Sequence, residues 1–119
     1  LRLAKDRDVV RVVADQHGSP TYAPNIADAV LVVARRMVTD PDGAEWRGIF
    51  HMAAEGYTSW AHFAEAIFAA SAARGGPTAE VERISTSDYP TAAARPANSR
   101  LATDRFCSVF EQALPRWED

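Results

Sequence analysis

Among 119 residues there is one cysteine, Cys107, so no internal disulfide can form and no multi-cysteine zinc pattern is available. Its expected state is a small thiol, buried or half-buried. No apolar run approaches the ~20 residues of a membrane span, and no stretch reads as a signal peptide. A reducing, cytoplasmic setting is the expectation. Charge bias is also slight: 13 basic and 16 acidic side chains leave a net charge of −3. There is no basic cluster to suit nucleic acid and no acidic block to make a disordered tail.

Three further absences bear on catalysis. The chain has no Gly-x-Gly-x-x-Gly, no phosphate-binding Gly-Lys-Ser/Thr loop and no Tyr-x-x-x-Lys. Four residues beyond Tyr22, Tyr57 and Tyr89 stand Ile26, Ala61 and Ala93, which excludes a tyrosine–lysine hydride-transfer site from this chain. No strained Gly-x-Ser-x-Gly elbow turns Ser19 or another serine into a nucleophile. His17, His51 and His62 fall on a loop, a strand and a helix in turn. They read as a polar loop residue, a hydrogen-bonded strand residue and an exposed helix residue rather than as a metal triad.

What is present is a chain of 47% hydrophobic and 24% charged residues, a length and composition that suit one globular domain. The opening "LRLAKDRD" has no initiator methionine and reads as the last turns of a helix, so a segment of a longer protein is expected. "VVRVVAD", Val9 to Asp15, is rich in β-branched residues and predicts a mostly buried strand. "IADAVLVVARRMV" repeats apolar residues at Ile26, Val30, Val33 and Met37, which predicts a helix with a wide apolar face, capped by Asn25. "GIFHMAA", Gly48 to Ala54, predicts a second strand. Thr58 or Ser59 caps a helix from Trp60 that Gly75-Gly76-Pro77 stops. "AEVERIS", Ala79 to Ser85, predicts a short strand. An irregular stretch with two prolines follows, then a short helix, "TDRFCSVF", capped by Thr103 or Asp104. Strands alternating with helices indicate an α/β layering with one shared core.

Two loops carry the chemistry. In "DQHGSPTY", Gly18 permits close backbone approach or positive φ, and Pro20 forces Ser19 to be extended. Amides exposed there, near a helix start, could meet an anion or a polar sugar; an ordinary strand-to-helix connection is the alternative. In "AAARPANSRL", Arg95 sits among small residues and a proline. Its fork can be presented to a phosphate, or it can be a plain exposed or ion-paired arginine. Trp60, Phe63 and Phe68 read as core before they read as a pocket, and Trp46 and Trp117 as packing residues.

These stretches occur together and in order. Asp-Gln-x-Gly-Ser-Pro-Thr, then Thr-Ser-Trp, then Tyr-Pro-Thr-x-Ala-x-Arg-Pro-x-x-Ser resembles the C-terminal part of dTDP-4-dehydrorhamnose reductases over essentially the whole chain. The resemblance implies the C-terminal substrate-binding portion of an extended short-chain dehydrogenase/reductase, with the doubly wound, NADPH- or NADH-binding half outside this chain. That missing half would carry the tyrosine and lysine, and this piece alone would be inactive. The implied reaction reduces dTDP-6-deoxy-L-lyxo-4-hexulose to dTDP-L-rhamnose. The implied ligand contacts are Gln16, Gly18, Ser19, Pro20, Thr21, Arg95 and Ser99, with Arg95 at the diphosphate. A homodimer is open. Two other readings stay open: a non-catalytic regulatory subunit of the same fold, and a reductase or epimerase for another nucleotide-sugar. Some members of the family place an acidic residue, linked to magnesium and dimer contacts, three positions after the loop threonine. Here that position is Pro24, so no metal is expected through it.

Overall fold

The structure is a computed structural model that describes residues 1–119. In chain order it comprises a 3-10 turn at Leu3–Lys5, β1 (Val9–Val13), β2 (His17–Gly18), α1 (Ala23–Thr39), β3 (Thr58–Ser59), α2 (Trp60–Ala72), β4 (Glu80–Ile84), a 3-10 turn at Thr86–Asp88, and α3 (Asp104–Phe110). The α/β class expected from the alternation holds. The chain divides into two compact units, one of residues 1–18 and 58–99, the other of residues 19–57 and 100–119.

The first unit is built on a parallel pair. β1 runs beside β4 with Val9 opposite Glu80 and Val13 opposite Ile84, and α2 packs against both strands. Parallel strands need such a crossover between them. β1 is less buried than its composition suggests: only Val10 is buried, and Val9 is 45% exposed. The ladder has two strands, so hydrogen bonding covers one edge of β1 and α2 covers one part of its faces. Val10, Ala61, Phe68 and Ile84 are buried here. α2 starts where expected because Ser59 Oγ accepts the amide of His62 at 3.2 Å, which satisfies one of the orphan donors of the first turn. At its other end Ser71 Oγ donates to Pro77 O at 2.7 Å and Gly76 N to Ser71 O at 2.9 Å.

The second unit packs α1 against α3. Its core joins Ala29, Trp46, Phe106, Phe110 and Leu114. Phe110 meets Phe50 edge-on at 5.1 Å and Phe106 at 5.2 Å between ring centroids. Cys107 is half-buried beside this core, as expected, and Trp117 packs against Gly56.

Besides the burial of β1, three sequence expectations are corrected here. Helix α1 begins at Ala23, not after an Asn25 cap: Tyr22 is the extended residue at the boundary, and Pro24 lies in the first turn. Proline is tolerated there because its missing N–H would have had no helical partner. The buried side of α1 is also narrow. It follows Ile26, Ala29 and Val33, while Val30, Leu31 and Met37 are 46%, 55% and 50% exposed. Finally, Gly48–Ala54 forms no strand. Strand formation needs a partner backbone, and side chains take that role here. Arg105 donates from Nη2 to Arg47 O at 2.9 Å and from Nη1 to Ile49 O at 3.0 Å. Thr21 Oγ1 accepts Ala54 N at 3.1 Å. Just beyond, Glu55 bridges to the C-terminal segment through Glu55 N to Pro115 O at 3.0 Å and Trp117 N to Glu55 O at 3.1 Å. No helix is long and apolar enough to cross a membrane.

Candidate functional site

An open cleft of about 670 Å³ lies within the first unit. One wall is the strand, through Arg11, Val12 and Val13. The opposite wall is α2, through Trp60, Phe63, Ala64 and Ile67. Tyr89, Thr91 and Arg95 enter from the irregular segment, and Gln16 completes the lining. The α2 stripe follows i, i+3, i+4, i+7 spacing, the signature of a face turned to other protein. Trp60 is nevertheless 53% exposed, and its ring lies 6.5 Å from that of Phe63. The stripe read as core therefore divides: Phe68 is buried, and Trp60 and Phe63 line the cleft.

The two cleft arginines differ. Arg11 faces its ladder partner Glu82 across 3.5 Å, whereas Arg95 is exposed and makes no ion pair. A guanidinium without a protein partner keeps its planar fork available for an oxyanion. Aromatic and aliphatic walls with a few convergent polar groups are the usual makeup of a small-molecule site.

The residues singled out in "DQHGSPTY" have distinct fates. Gln16 is buried, lines the cleft, and donates from Nε2 to Thr86 Oγ1 at 3.1 Å. His17 and Gly18 are no plain connection: they pair antiparallel with Ser59 and Thr58. Gly18 serves close approach, since a β-carbon there would lie 2.6 Å from Ser99 Oγ. Ser99 donates its amide to His17 O at 2.9 Å and its hydroxyl to the same oxygen at 3.1 Å. Ser19, Pro20 and Thr21 belong to the second unit. Ser19 Oγ donates to Gly56 O at 2.7 Å, and Thr21 Oγ1 to Ser19 O at 2.9 Å. The structure thus brings Gln16 and Arg95 into one cleft and sets Gly18 against Ser99, outside its lining.

Sequence reading missed Arg11, Tyr89 and Thr91 as lining residues, and it assigned no role to Asp15, at the head of the quoted loop, or to Thr86. Thr86 N donates to both Asp15 oxygens at 3.0 Å, and Thr86 Oγ1 donates to Oδ1 at 2.6 Å. These bonds hold the Asp15 carboxyl below its ordinary value, and His17 adds a smaller effect in the same direction. Asp88 is held low by Ser85 in a capping box around the 3-10 turn. Only the period-2 alternation of β1 could have hinted at Arg11.

Histidines do not converge. His51 is exposed, with Nδ1 3.3 Å from Ala102 O, and His62 Nδ1 lies 2.9 Å from Thr58 Oγ1. No group of three or more His, Cys, Asp or Glu side chains is arranged to hold a metal ion, and Pro24 offers no side-chain ligand atom. The second unit has its own apolar cleft of about 590 Å³ beside Trp46, Phe50 and Phe106.

The model described as the RmlD substrate binding domain matches residues 1–119. The dTDP-4-dehydrorhamnose reductase of Sinorhizobium fredii is 46% identical over 119 residues, covering 100% of this chain and 40% of the relative. That of Salmonella typhimurium is 40% identical over 120 residues, covering 99% and 39%. Among solved structures, dTDP-4-dehydrorhamnose reductase from Bacillus anthracis in complex with NADP aligns with a TM-score of 0.77 at 31% identity, over 98% of this chain and 37% of that one. The Clostridium acetobutylicum orthologue aligns at 0.81 and 27% identity, over 98% and 38%. The chain spans about two fifths of the length of the curated relatives it matches.

Proposed function

This chain belongs to the RmlD substrate-binding domain family, as its ordered motifs suggested, and from that premise we propose that it forms the substrate-binding part of a dTDP-4-dehydrorhamnose reductase. The reductase converts dTDP-6-deoxy-L-lyxo-4-hexulose to dTDP-L-rhamnose. NADPH or NADH supplies the hydride from a cofactor-binding half in the same polypeptide. The residues of this chain do not fit that cofactor, because the glycine-rich loop and the Tyr-x-x-x-Lys are absent, so the role here is to bind and orient the sugar nucleotide. Magnesium has no place at Pro24 in this reading.

The observation that carries the reading is the cleft of the first unit, where an aromatic wall faces an unpaired arginine. Trp60 and Phe63 offer flat apolar surface to the base or sugar ring, and Arg95 offers its fork to the diphosphate. Gln16 adds a polar contact. Gly18 and Ser99, packed against each other beside the cleft, stay candidate contacts through the loop ends they fix, and Ser19, Pro20 and Thr21 stay candidates by motif alone. The two units act together as one substrate-binding domain in this proposal, and the working setting is the cytoplasm.

The test is the affinity of the reductase for dTDP, measured by calorimetry with Arg95 replaced. Loss of a charge-assisted bond costs roughly 1.5–3 kcal/mol, so Arg95→Ala should weaken dTDP about ten- to a hundred-fold. Arg95→Lys keeps the charge without the fork and should recover part of the loss. Unchanged affinity together with a lower melting temperature would make Arg95 a structural residue and overturn the assignment. The 119-residue chain by itself should not consume NAD(P)H with the 4-keto sugar nucleotide.

A further inference from the structure

The groups that enter the cleft from Tyr89 to Arg95 ride on a segment with little support of its own. Every residue from Ser87 to Leu101 is exposed, and none beyond Asp88 lies in a helix or named strand; within the segment Thr91 Oγ1 donates to Ala93 O at 2.8 Å. A loop this free would spend binding energy on being ordered. Yet both of its ends are held, and by three consecutive residues.

Upstream, Asp15 takes the amide of Thr86 on both oxygens and the hydroxyl on one. The hydroxyl proton is thereby used toward Asp15, which leaves the Thr86 oxygen free to accept Gln16 Nε2 at 3.1 Å. Immediately beyond, Ser85 Oγ and N both donate to Asp88 Oδ2, at 2.7 and 3.2 Å, and close the turn that leads into Tyr89. Downstream, His17 N donates to Ala97 O at 2.9 Å, and His17 O accepts the amide and hydroxyl of Ser99. His17 is itself fixed by its pairing with Ser59.

We propose that Asp15-Gln16-His17 is a two-ended clamp that sets the loop bearing Tyr89, Thr91 and Arg95, so that Asp15 and Thr86 are positioning residues for the nucleoside diphosphate the cleft takes. This rests on the nucleotide-sugar reading above. Asp15 acts through Thr86 and touches no ligand itself. The bidentate grip fixes the direction in which the chain leaves β4, and the His17 bonds fix where it returns. What lies between is then limited to conformations that keep Arg95 at the cleft.

The experiment measures dTDP and NADPH affinity in the full reductase carrying Thr86→Val, Thr86→Ser or Asp15→Ala. Thr86→Val and Asp15→Ala should weaken dTDP roughly five- to tenfold, the share of one or two ordinary hydrogen bonds, and leave NADPH affinity unchanged. Thr86→Ser, which keeps the hydroxyl, should bind dTDP within about twofold of the unmutated protein, a change small against the loss of one such bond. Amide hydrogen exchange between Ser87 and Arg95 should rise in the two weakened variants alone. Should Thr86→Val fail to fold, Asp15→Asn keeps one acceptor oxygen and should give a smaller loss in the same direction. Unchanged dTDP affinity in the folded variants, or failure of serine to rescue, overturns the clamp. An unmutated reductase that binds no dTDP overturns the nucleotide reading and the clamp with it.

Discussion

A β-carbon on Gly18 would stand 2.6 Å from the hydroxyl oxygen of Ser99, and that hydroxyl is itself bonded to His17 O at 3.1 Å. Gly18→Ala must therefore push the hydroxyl away and forfeit its bond, at about 1 kcal/mol. The Ser99 β-carbon lies an ordinary 4.0 Å from the same point. Adding Gly18→Ala to Ser99→Ala should accordingly cost little beyond Ser99→Ala alone. A double-mutant cycle on urea midpoints checks this; additive losses would show that the alanine strains something other than Ser99.

Helix α1 makes a sharp distinction between neighbours. Ala29 is 2% exposed and Val30 is 46% exposed. Ala29→Asp places an unpaired carboxylate in the Phe106–Phe110 core and should cost several kcal/mol. Val30→Asp should stay within about 1 kcal/mol, as surface changes do. Thermal melting of the two variants decides; equal losses would mean that the helix is rotated from the facing described.

Arg105 is a second device that one substitution can expose. Its fork spans the carbonyls of Arg47 and Ile49, its guanidinium lies 4.3 Å over the ring of Phe50, and Gly48 between them adopts φ +119°. Arg105→Ala should cost about 1–2 kcal/mol, a reduced share for a solvent-exposed group. Arg105→Lys should lose most of it, because an ammonium cannot bridge both carbonyls in the same plane. A lysine variant as stable as the parent would refute the bridging role.

Acid should loosen the first unit. Asp15 and Asp88 are both held below the ordinary value of 3.8, by bonds from Thr86 and Ser85 respectively, and Glu65 below 4.5 by Arg83. A carboxylate depressed in the folded state contributes its full stability above its unfolded value and loses it as pH falls through the folded one. His17 favours the charged form of Asp15 and Arg11 that of Asp88, while the charge of Asp15 works against the charged form of Asp88. The melting temperature should thus be level near neutrality and fall below about pH 4. Asp15→Asn should flatten that fall. An identical slope in the variant would exclude Asp15 from it.

How legible all this was depended on distance along the chain. The Ser59 cap is a local event three residues long, and the sequence displays it. β1 and β4 announce themselves by β-branched content. Gly48–Ala54 has the same look, but a strand is a relation between two backbones, and here Arg105 and Thr21 answer its carbonyls and amides instead. Asp15 and Thr86 are 71 positions apart, and nothing in either neighbourhood marks the other. The α1 boundary was misread because Asn25 is a strong cap by type, whereas Pro24 is as good an opening residue by geometry. In the cleft, Arg95 stood out for its small neighbours. Trp60 did not, since helical spacing looks the same for a core face and for the wall of a ligand site.

The two units are interleaved in the chain, residues 1–18 and 58–99 against 19–57 and 100–119, and this has a consequence for biosynthesis. A chain made from its N-terminus cannot close the β1–β4 ladder until Ile84 has emerged from the ribosome. Helix α1, finished early, keeps Ile26, Ala29 and Val33 uncovered until Phe106 and Phe110 arrive. Pairings of such long span are slow to form, and the apolar surface waiting for them invites aggregation. Nascent chains stalled short of α3 should therefore be clients for chaperones that hold unfolded polypeptide, and release should come only when almost the whole segment has been translated.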